Sequence, residues 1–178
     1  VTVGGAGLAS GDGSVGLRVD AAATVYDLAG NPVDERSTGS DQSYTVDNTT
    51  LTISSIATMG TGAFTVGDSI DFTVTLSEDV QTGGALRLTL NTGETLTVAT
   101  SAAGDTLTGT YTVTDSATDV ADLAVTAIGL GSATDTNVPT DIAGNAMAAV
   151  TVTPGQYVFT SIEIDTTAPA DLSDLDLF

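Results

Sequence analysis

Aspartate dominates the residues of this chain that could do chemistry, and it recurs at fixed spacing. Asp27-Leu-Ala-Gly-Asn31 returns as Asp141-Ile-Ala-Gly-Asn145, and Tyr44-Thr-Val-Asp47-Asn-Thr returns as Ile162-Glu-Ile-Asp165-Thr-Thr. Further carboxylates gather as Glu78-Asp79 and as Asp115, Asp119 and Asp122. Oxygen ligands of this kind suit a hard cation: Ca2+ takes six to eight oxygens at about 2.3–2.6 Å from carboxylates, Asn and backbone carbonyls, and accepts irregular geometry. The candidate calcium ligands are therefore Asp27, Asn31, Asp47, Glu78, Asp79, Asp115, Asp119, Asp141, Asn145 and Asp165. The same residues have a plainer reading. Asp27 and Asp141 cap an Asx-turn in which Gly30 or Gly144 takes a positive φ, and Asp47 and Asp165 start turns. One residue can do both.

Enzymatic chemistry fits the composition poorly. The chain has no histidine, lysine or cysteine, which removes the commonest general bases, Schiff-base chemistry, thiol nucleophiles and Cys-bound zinc. Glu78-Asp79 could in principle act as a glycosidase pair, but adjacent side chains usually diverge and few aromatics are present to stack a sugar. Gly4-Gly5 and Gly11-Asp-Gly13 are not a phosphate loop, because no lysine follows them. The expectation is a protein that is not an enzyme.

The charge balance narrows the partners. Three arginines (Arg18, Arg36, Arg87) face 23 carboxylates, for a formal net charge of −20. Nucleic acid and anionic lipid are disfavoured by that field. No run approaches the roughly 18 to 20 apolar residues that span a bilayer. Aspartate outnumbers glutamate 19 to 4, and short Asp side chains suit tight turns and oxygen cages. Hydrophobic residues make up 41% of the chain but aromatics only 4%, which favours a thin core of Val, Ile, Leu and Ala over a deep cavity. The chain starts at Val1 without a signal peptide, which reads as a processed chain or a fragment.

The elements that must carry the acidic residues are strands. Ile70-Asp-Phe-Thr-Val-Thr-Leu76, Leu86-Arg-Leu-Thr-Leu90 and Thr95-Leu-Thr-Val98 alternate apolar with polar residues, the period of half-buried antiparallel strands. Turn clusters such as Gly67-Asp68, Gly83-Gly84 and Asn91-Thr-Gly93 separate them, a rhythm that suits a Greek-key sandwich. The duplicated motifs lie 114 and 118 residues apart, a spacing of whole domains. Residues 1–47 then form the last part of one unit, 48–165 a complete unit, and 166–178 a linker and the opening of another. Seven strands are predicted in the complete unit, near 50–57, 69–76, 85–90, 94–100, 105–113, 121–128 and within 146–164, where Pro154-Gly155 leaves one strand or two. Counting up and down, Asp47, Ser77-Glu78-Asp79 and Asp141–Asn145 share the end where the chain enters. Asp165 shares the opposite end with Asp115, Asp119 and Asp122.

Taken together and in order, "FTVGDSIDFTVTLSEDV", "DLAGN" and "DIAGN", "YTVDNTT" and "IEIDTTAP" make the chain resemble the bacterial immunoglobulin-like repeats of giant surface adhesins and other very large cell-surface proteins. The resemblance covers nearly the whole chain and implies an all-β, immunoglobulin-like antiparallel sandwich in tandem. It also implies an extracellular, calcium-stiffened spacer or coat with no catalytic activity, whose partners are neighbouring repeats or copies. The first linker departs from the pattern, since Asp47-Asn-Thr-Thr50 lacks the Ala-Pro of Ala168-Pro169. A second expectation is a subunit of an extracellular filament, in which an incomplete sandwich is completed by strands from neighbouring copies.

Overall fold

Alternating burial follows the alternating sequence. The computed structural model describes residues 11–16, 26–32, 43–131 and 137–169, and the chain divides into two units, Val1–Thr49 and Thr50–Phe178. In the first unit, β1 (Gly13–Gly16) pairs antiparallel with β2 (Ser43–Val46), running from Gly13 opposite Val46 to Gly16 opposite Ser43.

The larger unit contains β3 (Ile53–Met59), β4 (Gly62–Phe64), β5 (Ser69–Val80), β6 (Ala85–Leu90), β7 (Thr95–Ala99), β8 (Gly104–Thr112), β9 (Leu123–Leu130), β10 (Val158–Phe159) and β11 (Ile162–Ile164). Among the described residues none is helical, and no helix is long and apolar enough to cross a membrane. Seven strands form one antiparallel sheet in the order β10-β9-β6-β7-β8-β5-β3, and β4 pairs in parallel with β11. On β5 the residues Ile70, Phe72, Val74 and Leu76 are buried while those between them are partly or fully exposed, so one face of the strand supplies the core. Leu86, Leu88 and Leu90 of β6, Leu107 of β8, Leu123 of β9 and both isoleucines of β11 fill it from the other elements.

The sheet bends back on itself. Its two halves, β3-β5-β8 and β7-β6-β9-β10, are joined by a single paired position, Ala99 opposite Thr108. Phe72 on β5 nevertheless meets Phe159 on β10 edge to face, with ring centroids 5.6 Å apart and planes at 86°. Strands far apart in the ladder therefore touch across the core. The expected fold holds in its coarser part: the unit is all-β with an antiparallel main sheet, but that sheet nearly closes into a barrel-like shape rather than dividing into a clear sandwich.

Other departures have local causes. The first strand, predicted near 50–57, is β3, and beyond Gly60-Thr61 the chain forms the short β4, which the sequence did not suggest. The expected loop at Ser77–Asp79 instead continues β5, whose pairing with β8 is interrupted between Thr75 and Val80. Met147–Thr153 has strand-like composition but forms no ladder: Met147 is buried and its amide donates to the Pro139 carbonyl, so packing rather than a neighbouring strand holds the segment. The boundary at Thr49/Thr50 falls inside the Asp47–Thr50 linker. Residues 170–178, read from sequence as the start of a further repeat, lie outside the described residues, as do 1–10.

Where the two halves of the sheet join, β8 lies against the backbone of β7 at Gly109. A Cβ built there would sit 2.3 Å from the Thr97 carbonyl oxygen, a backbone atom that can yield only by moving the strand. Gly109→Ala is therefore expected to destabilise the larger unit by about 1–3 kcal/mol through overpacking, measured by denaturant unfolding. An unchanged midpoint would show that the join is looser than this geometry.

Candidate functional site

Local hydrogen bonding builds the Asp-x-Ala-Gly-Asn segments. Asp141 Oδ1 accepts the amides of Gly144 at 2.7 Å and Asn145 at 2.8 Å, and Oδ2 accepts Asn145 Nδ2 at 2.8 Å. The Asp141 amide donates to the Asn145 carbonyl at 3.0 Å, and Thr140 bridges Ala146 across the mouth of the loop. So tight a reversal places Gly144 at φ 105°, a conformation costly for any residue with a Cβ. The first unit repeats the arrangement: Asp27 Oδ1 accepts the amides of Ala29 and Asn31, Oδ2 accepts Asn31 Nδ2, and Tyr26 bridges Pro32. Both aspartates thus cap Asx-type loops.

Burial separates the two copies. Asp141 is 1% exposed, whereas Asp27 is exposed. Burial alone would raise the Asp141 carboxyl, but hydrogen bonds from the Asn145 side chain and from the amides of Asn145 and Gly144 outweigh it and hold the group below its ordinary 3.8. The Asn31 side chain, then its amide, lowers Asp27 in the same direction.

Pairing with the end of β5 carries Asp141 to the end of the unit where the chain enters. Val80 and Asp141 form an antiparallel bridge, the Gln81 amide donates to the Thr140 carbonyl at 2.9 Å, and Gln81 Nε2 donates to the Asp141 carbonyl at 3.0 Å. Ser77 and Thr52 are joined twice, through Ser77 N to Thr52 O and Thr52 N to Ser77 Oγ. Glu78 lies between these ties, and a carboxylate oxygen of Glu78 comes within 4.8 Å of one of Asp141. Two oxygens on one calcium ion, each at 2.3–2.6 Å, can be at most about 5 Å apart, so the pair fits such an ion. Without a cation the two facing charges repel each other.

A different chemistry operates where the chain leaves. Asp119 Oδ1 accepts the Thr166 amide and the Thr166 hydroxyl, each at 2.7 Å, and Oδ2 accepts the Thr167 hydroxyl. Asp165 Oδ1 accepts the Thr167 amide at 3.0 Å, and the Asp165 amide donates to the Phe64 carbonyl of β4. Hydrogen bonds from the Thr167 side chain and from Thr166 hold Asp119 below its ordinary 3.8. The loop bearing Asp119 is itself tied down by Glu94, which accepts from the hydroxyls of Tyr111 at 2.6 Å, Ser116 at 3.2 Å and Thr114. Burial, which alone would raise Glu94, is outweighed by these donors, and its carboxyl falls below 4.5. Burial, reinforced by the Glu94 bond, pushes Tyr111 up to about 12, so its hydroxyl stays a donor.

The first unit contains the same joint. Asp12 Oδ1 accepts the Asn48 amide at 2.6 Å, Asp12 Oδ2 accepts the Thr49 hydroxyl at 2.6 Å, and Asp47 Oδ1 accepts the Thr49 amide at 2.9 Å. Gly13 opposite Val46 matches Val120 opposite Ile164, each residue following or preceding the corresponding aspartate by one. Asp12, Asn48, Thr49, Thr166, Thr167 and Glu94 are thus residues that the sequence reading passed over.

Of the remaining predicted ligands, Asp79 is exposed on β5 beside Glu78, and Asp115 is exposed in the turn after β8. The Asp122 carbonyl accepts Asn91 Nδ2 at 2.9 Å. Among the described residues, Asp115, Asp119, Asp122 and Asp165 do not form a group of three carboxylates close enough to share an ion. Comparisons with protein-family models, curated proteins and solved structures give no match.

The unequal burial of the Asx loops sets an expectation. Asp141→Ala strands the amides of Ala143, Gly144 and Asn145 and a side-chain donor beside a buried position, and is expected to cost about 2–3 kcal/mol. Asp27→Ala, on an exposed loop, is expected to leave the unfolding midpoint nearly unchanged. Equal effects of the two substitutions would remove the distinction.

Acid provides a second test. Carboxyls held below their unfolded values contribute stability that is complete above those values and is lost as pH falls through the folded ones. For Glu94, Asp119 and Asp141 the loss therefore begins near 4.5 and 3.8 and continues below. The melting temperature of the wild type is expected to fall more steeply than that of Asp119→Ala between about pH 5 and pH 2. Parallel curves would contradict this assignment.

Proposed function

We propose that this chain is a non-enzymatic spacer from an extracellular bacterial surface protein, built of immunoglobulin-like repeats in tandem and stiffened by calcium where a repeat begins. What supports it most is duplication in three dimensions: the Asx loop and the linker joint each occur twice with the same donors and acceptors. Repetition of whole-domain parts is the mark of an array. Strand order favours the immunoglobulin-like assignment as well. Parting the sheet at the single Ala99–Thr108 pair gives three strands and four, which suits a seven-strand sandwich.

Calcium enters through Glu78 and Asp141, the facing carboxylates of the larger unit. A bound divalent cation would offset the repulsion between these groups, and the remaining coordination would come from backbone carbonyls and water. At extracellular concentrations a site with a dissociation constant of roughly 10⁻⁴–10⁻³ M fills, and at cytosolic ones it does not. The chemistry is thus suited to a part that is rigid only outside the cell.

Thermal melting with calcium and with chelator tests the proposal. Calcium at about a hundredfold over its dissociation constant is expected to stabilise the larger unit by about 2.7 kcal/mol, and Glu78→Gln is expected to abolish most of that gain. The same melting temperature in calcium and in chelator would end the calcium reading.

A further inference from the structure

Tandem repeats need a defined exit path for the chain, and in the larger unit hydrogen bonds set that path without using the candidate calcium ligands Glu78 and Asp141. Three things converge on Asp165–Thr167. Ile164 is buried and bridges Val120, the Asp165 amide is held by the Phe64 carbonyl, and the Asp119 carboxylate takes the Thr166 amide together with both threonine hydroxyls. Because Asp165 also caps the Thr167 amide, Thr166 and Thr167 have few remaining directions. Pro169 follows and restricts Ala168 to extended backbone.

We propose that Asp119 is a cation-independent clasp that fixes the direction in which the chain leaves the unit, and that Asp12 is its counterpart on Asn48 and Thr49. The proposal rests on an acceptor pattern found twice. One carboxylate oxygen receives the amide that follows the linker aspartate, and the other receives the hydroxyl of the next threonine. In both units the clasping aspartate directly precedes the residue paired with the last residue of the outgoing strand, as Gly13 pairs with Val46 and Val120 with Ile164. Two copies with different neighbours, Gly-Asp-Gly and Thr-Asp-Val, keep only the aspartate and its partners. A cation at Asp119 would have to compete with donors already seated on both of its oxygens.

This assigns the linker residues Asp-Thr-Thr and Asp-Asn-Thr a task distinct from metal binding. The aspartate caps the turn, the next amide is gripped by the clasp, and the final threonine hydroxyl closes it. Stiffening by calcium where the chain enters and alignment by hydrogen bonds where it leaves are then separate devices.

Solvent exchange of the Thr166 amide in the full chain, followed by NMR in chelator and again in calcium, tests the clasp. The amide is expected to be protected in chelator and to exchange roughly tenfold faster in Asp119→Ala. Thr167→Val, which leaves every charge in place, is expected to raise the rate about threefold, while the amides of Val74 and Leu107 in the core ladder stay unchanged in both variants. Exchange in the chelated wild type as fast as in Asp119→Ala would overturn the clasp, and so would protection that develops only when calcium is added. Protection in chelator combined with a melting temperature indifferent to calcium would support the clasp and sink the calcium reading alone.

Discussion

The structure depends on satisfying anionic oxygen with neutral donors. Three arginines cannot neutralise 23 carboxylates, so ion pairing is open to only a small minority of them. The other acidic groups must meet water, a cation, or N–H and O–H groups of the protein itself. At the loops and linkers the third route is used repeatedly: backbone amides, Asn side chains and Thr hydroxyls point at Asp12, Asp27, Glu94, Asp119 and Asp141. Charge-assisted bonds of this type are stronger than neutral ones, and they serve where disulfides are ruled out by the lack of cysteine. The abundant threonine has two uses. Its methyl suits a pleated strand and its hydroxyl serves as a donor to acid.

The two ends of the larger unit illustrate opposite answers to the same constraint. Where the chain leaves, Asp119 is met by an amide and two hydroxyls and needs nothing further. Where it enters, a carboxylate oxygen of Glu78 and one of Asp141 lie within 4.8 Å of each other, with Asp141 also met by backbone amides and the Asn145 side chain. Hydrogen bonding therefore closes one end, while the other brings two like charges together. On the proposed reading a cation relieves the second and is superfluous for the first.

Sequence patterning made some of this legible and left the rest hidden for identifiable reasons. Strands β5, β6, β7 and β8 were readable because a half-buried strand imposes a period of two on its residues, and Ile70 to Leu76 obeys it. The Asx loops were readable because their donors lie within four residues of the aspartate. By contrast, Met147–Thr153 has strand composition yet is held by packing and one bond to Pro139, information that resides in its neighbours. The clasp was invisible for a similar reason. Asp119 meets residues 47 and 48 positions away, and its copy at Asp12 shares no flanking residue with it. The close approach of β7 and β8 was hidden too, since it needs the missing Cβ of Gly109, which in a sequence looks like any other glycine in a Thr-rich strand.

The bias of 19 aspartates to 4 glutamates follows from the reach of these joints. An Asp carboxylate is one methylene from its own Cα, which lets it accept amides two to four residues ahead, as Asp27, Asp47, Asp141 and Asp165 do. The extra methylene of glutamate would carry the oxygens past those amides and add a rotamer to be frozen. Donors distant in sequence are met by both residues: Glu94 reaches Tyr111, Thr114 and Ser116, 17 to 22 residues away, and Asp12 and Asp119 meet donors 36 to 48 residues away. Acidity alone would be served equally by either residue. Where the donor lies two to four residues ahead, the loop calls for the shorter side chain, which ties part of the aspartate bias to the geometry of the loops.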